Sequence, residues 1–221
     1  MKRVIAVICA VMALGFGPIF LQGGSPSPAF SLVGAANAQQ ADDVDISTIT
    51  EMVQGAEDAP VTIIEYASFT CPHCAAFHAD GYKQLKSDYI DTGKIKFIYR
   101  EVYFDRFGLW ASMIARCAGP DRFFGVTDLL YSGQQTWARA GEPAQIVAEL
   151  RKIGRLAGVS DEQLDVCLQD AGKAQTLVAW YQANAEADDI TSTPSFVIDG
   201  TKYSNMSYDD MSTRIETALG N

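Results

Sequence analysis

The chain has 221 residues, of which 48% are hydrophobic, and it carries a formal net charge of −10 at pH 7. This acidic balance argues against nucleic acid or an anionic lipid surface as a partner. The length suffices for one domain with a well-filled core, or for one domain that carries an insertion.

The first 38 residues are typical of a secretory signal peptide. Lys2 and Arg3 provide positive charge, residues 4–21 are apolar, and Ala36-Asn37-Ala38 offers a cleavage site between small residues. An uncleaved membrane anchor is the alternative, because the apolar run is barely long enough to span a bilayer. Glycine and proline within the run favour cleavage. We therefore expect a mature protein in the periplasm, which is an oxidising compartment.

The next predicted elements are a short strand or turn within 46–54, a strand at 61–67 and a helix from 71 to about 89. Cys71-Pro72-His73-Cys74 stands where this strand gives way to the helix. If Cys71 is the N-cap, Pro72 takes the first helical position, where its fixed φ and missing N–H are tolerated. The Cys71 sulfur then meets unpaired backbone N–H groups, which favour a thiolate, and His73 adds a nearby donor or cation. Because a stable thiolate favours the reduced form, the disulfide of such a pair is expected to oxidise other thiols.

Glu65 lies inside the apolar strand at 61–67, shortly before Cys71. A carboxylate is costly to bury without a partner, so an outward-facing position on an edge strand is one interpretation. The Cys-x-x-Cys pattern that follows in the chain favours the other interpretation, a functional acid close to the thiols.

A strand at 94–102 completes a βαβ unit with parallel pairing. The residues from 107 to 187 are helix-like almost throughout, with segments at 109–118, 122–131, 143–156, 160–168 and 174–187. We expect an inter-helix core that contains Phe104, Phe107, Phe123 and Phe124. Strands at 195–198 and 201–203 and a helix at 207–219 close the chain. The predicted order is therefore βαβ, a helical insertion, then ββα.

The segments 65–74 (EYASFTCPHC) and 193–200 (TPSFVIDG) resemble motifs of the DsbA family of periplasmic thiol-disulfide oxidoreductases, in particular the alphaproteobacterial type. The resemblance covers about residues 52–219. It implies an α/β class protein with a thioredoxin fold, in which an all-helical domain is inserted between the two halves. The thioredoxin domain would comprise 39–106 and 188–221, and the helical insertion 107–187.

The resemblance also implies roles for individual residues. Cys71 would be the nucleophile that carries the mixed disulfide, Cys74 the buried resolving thiol, and Glu65 a buried acid that assists proton movement at Cys74. Pro194 would be a cis-proline that faces the disulfide, with Thr193 beside it against a substrate strand. The enterobacterial type has valine in place of Thr193, and a hydroxyl there can alter the redox potential.

The expected redox group is the Cys71–Cys74 disulfide itself, so no dissociable cofactor is implied. The resemblance implies a monomer whose partners are reduced, unfolded secreted proteins and a quinone-linked membrane reoxidant of the DsbB type. A disulfide isomerase or a reductase of the same fold is an alternative, and Thr193 keeps the reductase open. An isomerase would normally add a dimerisation domain. A non-enzymatic periplasmic binding or holding protein with a vestigial Cys-x-x-Cys is the remaining alternative.

A zinc site is a competing interpretation of the same motif. Cys71 and Cys74 form a good half-site, and His73 and His78 lie nearby, but no second pair follows at finger-like spacing. We therefore expect no metal. His78 is interpreted as a residue of the helix surface without a role.

Cys117 and Cys167 both fall in the predicted helical insertion, and Cys167 shares an apolar face with Leu164 and Leu168. Two unpaired core thiols are the alternative, since free cysteine is often buried. An oxidising compartment favours a structural disulfide between them, worth about 4 kcal/mol if it restricts the unfolded chain. A second disulfide in this domain, found in some alphaproteobacterial DsbA-like proteins, supports the same pairing.

Overall fold

Five strands form one mixed sheet in the computed structural model, which describes residues 44–221. The strands are β1 (Met52–Gly55), β2 (Val61–Ala67), β3 (Ile95–Glu101), β4 (Ser195–Ile198) and β5 (Thr201–Ser204), in the spatial order β1-β3-β2-β4-β5. The predicted signal peptide at 1–38 lies outside the described residues.

The centre of the sheet is β2, which pairs in parallel with β3 and antiparallel with β4. The register places Glu65 opposite Tyr99 on one side and Phe196 on the other, so this carboxylate lies in a central strand and not on an edge. At the other end, Asp199 and Gly200 form the tight turn between β4 and β5. Both have positive φ (46° and 79°), as a two-residue hairpin turn requires.

Nine helices surround the sheet within residues 44–221: α1 (Pro72–Ala79), α2 (Gly81–Leu85), α3 (Arg106–Cys117), α4 (Pro120–Ser132), α5 (Gln134–Trp137), α6 (Pro143–Leu156), α7 (Asp161–Gln169), α8 (Ala171–Ala187) and α9 (Tyr208–Ala218). Six of them, α3 to α8, come between β3 and β4 in the chain. The predicted thioredoxin fold with a helical insertion is therefore confirmed. None of the helices in this part of the chain is both long and apolar enough to cross a membrane.

The helix predicted from 71 to 89 is divided. Asp80 leaves helical geometry (φ −134°, ψ −69°) and separates α1 from α2, after which Lys86–Ile90 forms a π-helical turn. Gly81 fits at this break because a Cβ there would come within 2.9 Å of the Phe77 ring. The short helix α5 was not predicted, since four residues carry no periodic signal.

The sheet and the helical insertion share one apolar core. Phe123 of α4 packs on Tyr99 at 5.6 Å between ring centroids, and Phe124 packs on Phe97 at 6.3 Å. The expectation that Phe104 belongs to this core is wrong, because 59% of its surface is exposed. It precedes α3, where Asp105 caps the helix by accepting hydrogen bonds from the backbone of the first turn, and this turns Phe104 outward.

Two covalent or ionic links stabilise the insertion. A disulfide joins Cys117, at the end of α3, to Cys167 of α7, with a Cα–Cα distance of 6.0 Å. Arg116 of α3 binds Glu101, at the end of β3, through two hydrogen bonds of 2.6 Å, and both side chains are buried. The second link ties the insertion directly to the sheet.

Candidate active site

Cys71 is the N-cap of α1, and Pro72 occupies the first helical position. The Cys71 side chain is 9% exposed, and its pKa is lowered to about 5. The main cause is a hydrogen bond from the Cys74 thiol, to which the backbone N–H groups of His73 and Cys74 add, while burial acts in the opposite direction. At neutral pH this sulfur is therefore a thiolate, which is the nucleophilic form.

Cys74 lies one helical turn inside α1 and is fully buried. Burial raises its pKa far above the ordinary value, and the hydrogen bond to Cys71 and the charge of Glu65 act in the same direction. The structure thus holds the two free thiols of the described chain in opposite protonation states. One is ready to attack a disulfide, and the other has to lose a proton before it can react.

The Thr193–Pro194 peptide bond is cis, as predicted, and it lies beside Cys71 although some 120 residues separate them in the chain. The Cys71 sulfur lies 3.5 Å from the Thr193 carbonyl oxygen. The Thr193 hydroxyl is buried and makes no hydrogen bond in the structure. The Thr193 side chain contributes to the low pKa of Cys71, so main chain and side chain of this residue both lie near the reactive sulfur.

Glu65 is buried to 0% exposure and hydrogen-bonds to a residue that the sequence did not suggest. Nε2 of His78 lies 2.9 Å from Oε2 and 3.2 Å from Oε1 of Glu65. The interpretation of His78 as a surface residue is wrong, because it is only 3% exposed. The buried face of α1 carries Cys74, Phe77 and His78, so the histidine points at the sheet and contacts Glu65 in β2.

Three tyrosines enclose the His78 ring. Tyr82 stacks on one face at 4.5 Å between centroids and Tyr131 on the other at 4.3 Å, and Tyr99 meets the ring edge-on at 5.8 Å. The hydroxyls of Tyr99 and Tyr131 are hydrogen-bonded to each other at 2.6 Å. Helix α4 of the insertion, which carries Tyr131, thus completes the wall behind the thiols.

The turn between β2 and α1 is held from the insertion by two further residues that sequence reasoning missed. The buried amide of Gln134 donates hydrogen bonds to the carbonyl oxygens of Phe69 (2.8 Å) and Cys71 (2.9 Å). The Thr70 hydroxyl donates to the Asp105 carboxylate at 2.8 Å. No sequence pattern indicates a role for Gln134, because its partners are backbone atoms more than 60 residues away in the chain.

The described residues contain no cluster of three or more potential metal ligands. His73 is exposed on the first turn of α1, whereas His78 is turned inward and bonded to Glu65, so the four residues of the candidate zinc site do not converge. What the arrangement offers chemically is a pair of unlike thiols, a buried carboxylate and a main-chain segment beside the reactive sulfur.

Comparison with known proteins agrees with this geometry. The family model described as thioredoxin matches residues 47–217. The chain is 34% identical over 170 residues to a Rickettsia bellii protein named "Putative protein-disulfide oxidoreductase", a match that spans 76% of this chain but 64% of that protein. It thus spans slightly less than two thirds of that relative. It is 26% identical over 179 residues to disulfide bond formation protein D of Bacillus subtilis, covering 76% of each.

Among solved structures, alpha-DsbA1 of Wolbachia pipientis superimposes with a TM-score of 0.70 and 25% sequence identity. The superposition covers 77% of this chain and 92% of the Wolbachia chain. The similarity therefore includes the helical insertion as well as the sheet.

Proposed function

This chain belongs to the thioredoxin family, and we propose that it is a protein-disulfide oxidoreductase of the DsbA type. The observation that carries the proposal is the contrast between two thiols within one helical turn. The hydrogen bond from Cys74 and the backbone N–H groups at the start of α1 favour a thiolate at Cys71, while burial keeps Cys74 protonated. Because a stable thiolate favours the reduced pair, the corresponding disulfide is a strong oxidant of other thiols.

The proposed reaction moves two electrons from a client protein to the Cys71–Cys74 disulfide. A client thiolate attacks the Cys71 sulfur, the disulfide bond breaks, and the Cys74 sulfur leaves and takes up a proton. A second client thiolate then attacks the client sulfur of the mixed disulfide. This forms the client disulfide and releases Cys71 as a thiolate, so that two client thiols are oxidised and the enzyme's pair is reduced.

Residues of the motif assist at Cys71. Pro72 starts the helix whose N–H groups face the sulfur, and His73 contributes its backbone N–H. In our proposal the exposed His73 side chain also stabilises the thiolate as a donor or cation. We expect His73→Ala to lower the reduction potential by tens of millivolts, since about 30 mV corresponds to 1.4 kcal/mol, the size of one charge-assisted contact. An unchanged potential would mean that the Cys74 hydrogen bond and the helix start stabilise the thiolate without the His73 side chain.

The cis peptide and the buried acid complete the proposed site. The main chain at Thr193 and Pro194 lies against Cys71 and is suited to bind an extended client segment by backbone pairing. Glu65 raises the pKa of Cys74 through its charge, and in our proposal it exchanges a proton with that thiol during the reaction. Oxidation of the client and reoxidation of the enzyme both require such an exchange.

We further propose that the protein acts in the periplasm after cleavage of the signal at 1–38. Its clients would be reduced, unfolded secreted proteins, and a quinone-linked membrane protein of the DsbB type would reoxidise it. It would act as a monomer in which 39–106 and 188–221 form the thioredoxin domain and 107–187 the helical domain. The Cys117–Cys167 disulfide supports this placement, because such bonds persist in oxidising compartments.

The test is the reduction potential of the Cys71–Cys74 pair, measured by equilibration with glutathione, together with the rate of oxidation of a reduced peptide. The reduction potential of an oxidant should lie nearer to about −120 mV than to about −270 mV, which is the value of a general reductant. Cys71→Ser should abolish peptide oxidation, and the Cys117→Ala/Cys167→Ala double variant should retain it. A potential near the reductant value would assign a reductase, and failure to exchange disulfides at all would leave a binding protein.

A further inference from the structure

One polar atom of the buried Glu65–His78 pair has no hydrogen-bond partner, and this shows how the pair carries its protons. Nδ1 of His78 is buried and makes no hydrogen bond, while Nε2 binds the Glu65 carboxylate. A proton on Nδ1 would leave a buried N–H without an acceptor, which is unfavourable. The hydrogen-bond network therefore assigns a neutral imidazole that donates from Nε2 to an ionised Glu65.

In this state the pair carries one negative charge and can accept one proton. Accepting it makes the pair neutral overall, either as imidazolium with carboxylate or as imidazole with carboxylic acid. The rings of Tyr82 and Tyr131, stacked on both faces of His78, stabilise the imidazolium form by cation–π contact. The unpaired Nδ1–H opposes it.

We propose that His78 is the positioning residue of Glu65 and that the two side chains act as a one-proton acceptor and donor for Cys74. The proposal rests on the disulfide-exchange function argued above. The charge of Glu65 acts on the Cys74 thiol, and His78 fixes the carboxylate in orientation and shares the proton that it receives. A lone buried carboxylate in this pocket would have no such partner and would be costly to keep ionised.

When the reduced enzyme is reoxidised, the Cys71 thiolate first attacks the oxidant and forms a mixed disulfide. The Cys74 thiol then gives its proton to the Glu65–His78 pair, and the resulting thiolate attacks the Cys71 sulfur. The enzyme disulfide forms and the oxidant's second sulfur leaves as a thiolate. The proton passes back to Cys74 when the enzyme oxidises a client, so the pair ends each cycle as it began.

The surroundings favour direct transfer over exchange with solvent. The titratable or charged groups that face the pair come from five elements and are Cys74 of α1, Tyr82 of α2, Tyr99 of β3, and Tyr131 and Asp128 of α4, in addition to Glu65 itself on β2. The three tyrosines have pKa values raised by burial and stay protonated. Asp128 is exposed and lies at the outer side, which leaves the Glu65–His78 pair as the only buried base among these described groups.

A chromogenic aromatic disulfide separates the two chemical steps. Reduced protein releases one coloured thiolate when Cys71 attacks and a second when Cys74 resolves the mixed disulfide. We expect His78→Gln, which can donate to Glu65 but cannot take up a proton, to slow the second phase by roughly tenfold or more. The first phase should stay within about twofold of the wild type, because Cys71 is already a thiolate.

Two further variants separate proton exchange from packing. His78→Phe keeps the aromatic stack and should slow the second phase as His78→Gln does. In the double variant Glu65→Gln/His78→Gln, the second phase should be no slower than in Glu65→Gln alone, because the two residues act as one unit. Tyr208→Phe serves as the control and should change neither phase. It removes only an exposed hydrogen bond, which Tyr208 at the start of α9 donates to Asp88. A second phase with the wild-type rate and pH profile in both His78 variants overturns the proposal.

If the variants fail to fold, the wild type itself supplies the test. The chain has two histidines, so nitrogen NMR can follow both rings in oxidised and reduced protein across pH. We expect the protonation of His78 to depend on the redox state, and identical His78 titrations in both states would overturn the inference. Absence of the first coloured phase in wild-type protein would instead refute the proposed function, so the two failures are distinguishable.

Discussion

The low pKa of Cys71 makes the stability of the reduced protein depend on pH. The pKa falls from an ordinary 9.0 to about 5 in the folded state, so folding favours the thiolate. A group with a depressed pKa stabilises the fold above its unfolded pKa and loses that contribution as pH falls through the folded value. The relevant window therefore runs from about pH 9 down to about pH 5.

The magnitude follows from the two pKa values. At pH 7 the unfolded thiol is protonated and the folded one ionised, a difference of two factors of ten, or about 2.7 kcal/mol at 1.36 kcal/mol each. Below about pH 4 the contribution vanishes, because both states are protonated. Since only the reduced form gains it, the same energy raises the reduction potential by about 60 mV at pH 7.

Urea unfolding of reduced wild-type protein and of reduced Cys71→Ser, each from about pH 4 to pH 8, isolates this contribution from other titrating groups. The difference between the two free energies of unfolding should grow by roughly 2–3 kcal/mol from pH 4 to pH 7. In Cys74→Ala the rise should shift to higher pH, because the Cys74 hydrogen bond is the main cause of the low pKa. A difference between wild type and Cys71→Ser that is independent of pH would refute the reasoning.

Three further predictions concern the supports of the site. Gln134→Leu leaves the carbonyl oxygens of Phe69 and Cys71 without this donor, so the free energy of unfolding, measured with urea, should fall by about 2–4 kcal/mol. Faster alkylation of Cys71, which ends the loosened turn, is a second readout. Replacing both Cys117 and Cys167 by alanine should lower the free energy of unfolding by about 4 kcal/mol while leaving the reduction potential unchanged, which urea unfolding and glutathione equilibration check together. Arg116→Met should lower the free energy of unfolding by about 3–5 kcal/mol, because it leaves the Glu101 carboxylate buried without its partner. Adding Glu101→Gln should restore most of this loss. Equal destabilisation of the single and the double variant would contradict the prediction.

The sequence alone determined the features that depend on neighbouring residues. A strand that leads into Cys71-Pro72 predicts an N-cap cysteine, because proline is favoured at the first helical position, and the structure has this geometry. Apolar runs predicted β2 and β3. Apolar residues at helical spacing predicted α6, and a capping box formed by Ser160 and Gln163 predicted α7 with small errors at its ends.

The tertiary structure decided what depends on contacts between distant segments. His78 appeared to be an ordinary residue of a helix surface, since nothing nearby in the sequence says which face of α1 turns toward Glu65. Gln134 reaches the backbone of Phe69 and Cys71 from an insertion that begins dozens of residues later. Phe104 was expected inside and lies outside, because the cap at the start of α3 and not its own hydrophobicity sets its direction.

The physical reason is the range of the interactions. Helix starts, turns and periodic burial follow from backbone geometry over a few residues, and the sequence displays them directly. The protonation of a buried group such as Cys74 depends on which charges and dipoles come within a few ångströms in a medium of low dielectric constant. Folding brings those groups together from β2, α1, α4 and the segment before β4, so only the folded chain assigns each proton to its atom.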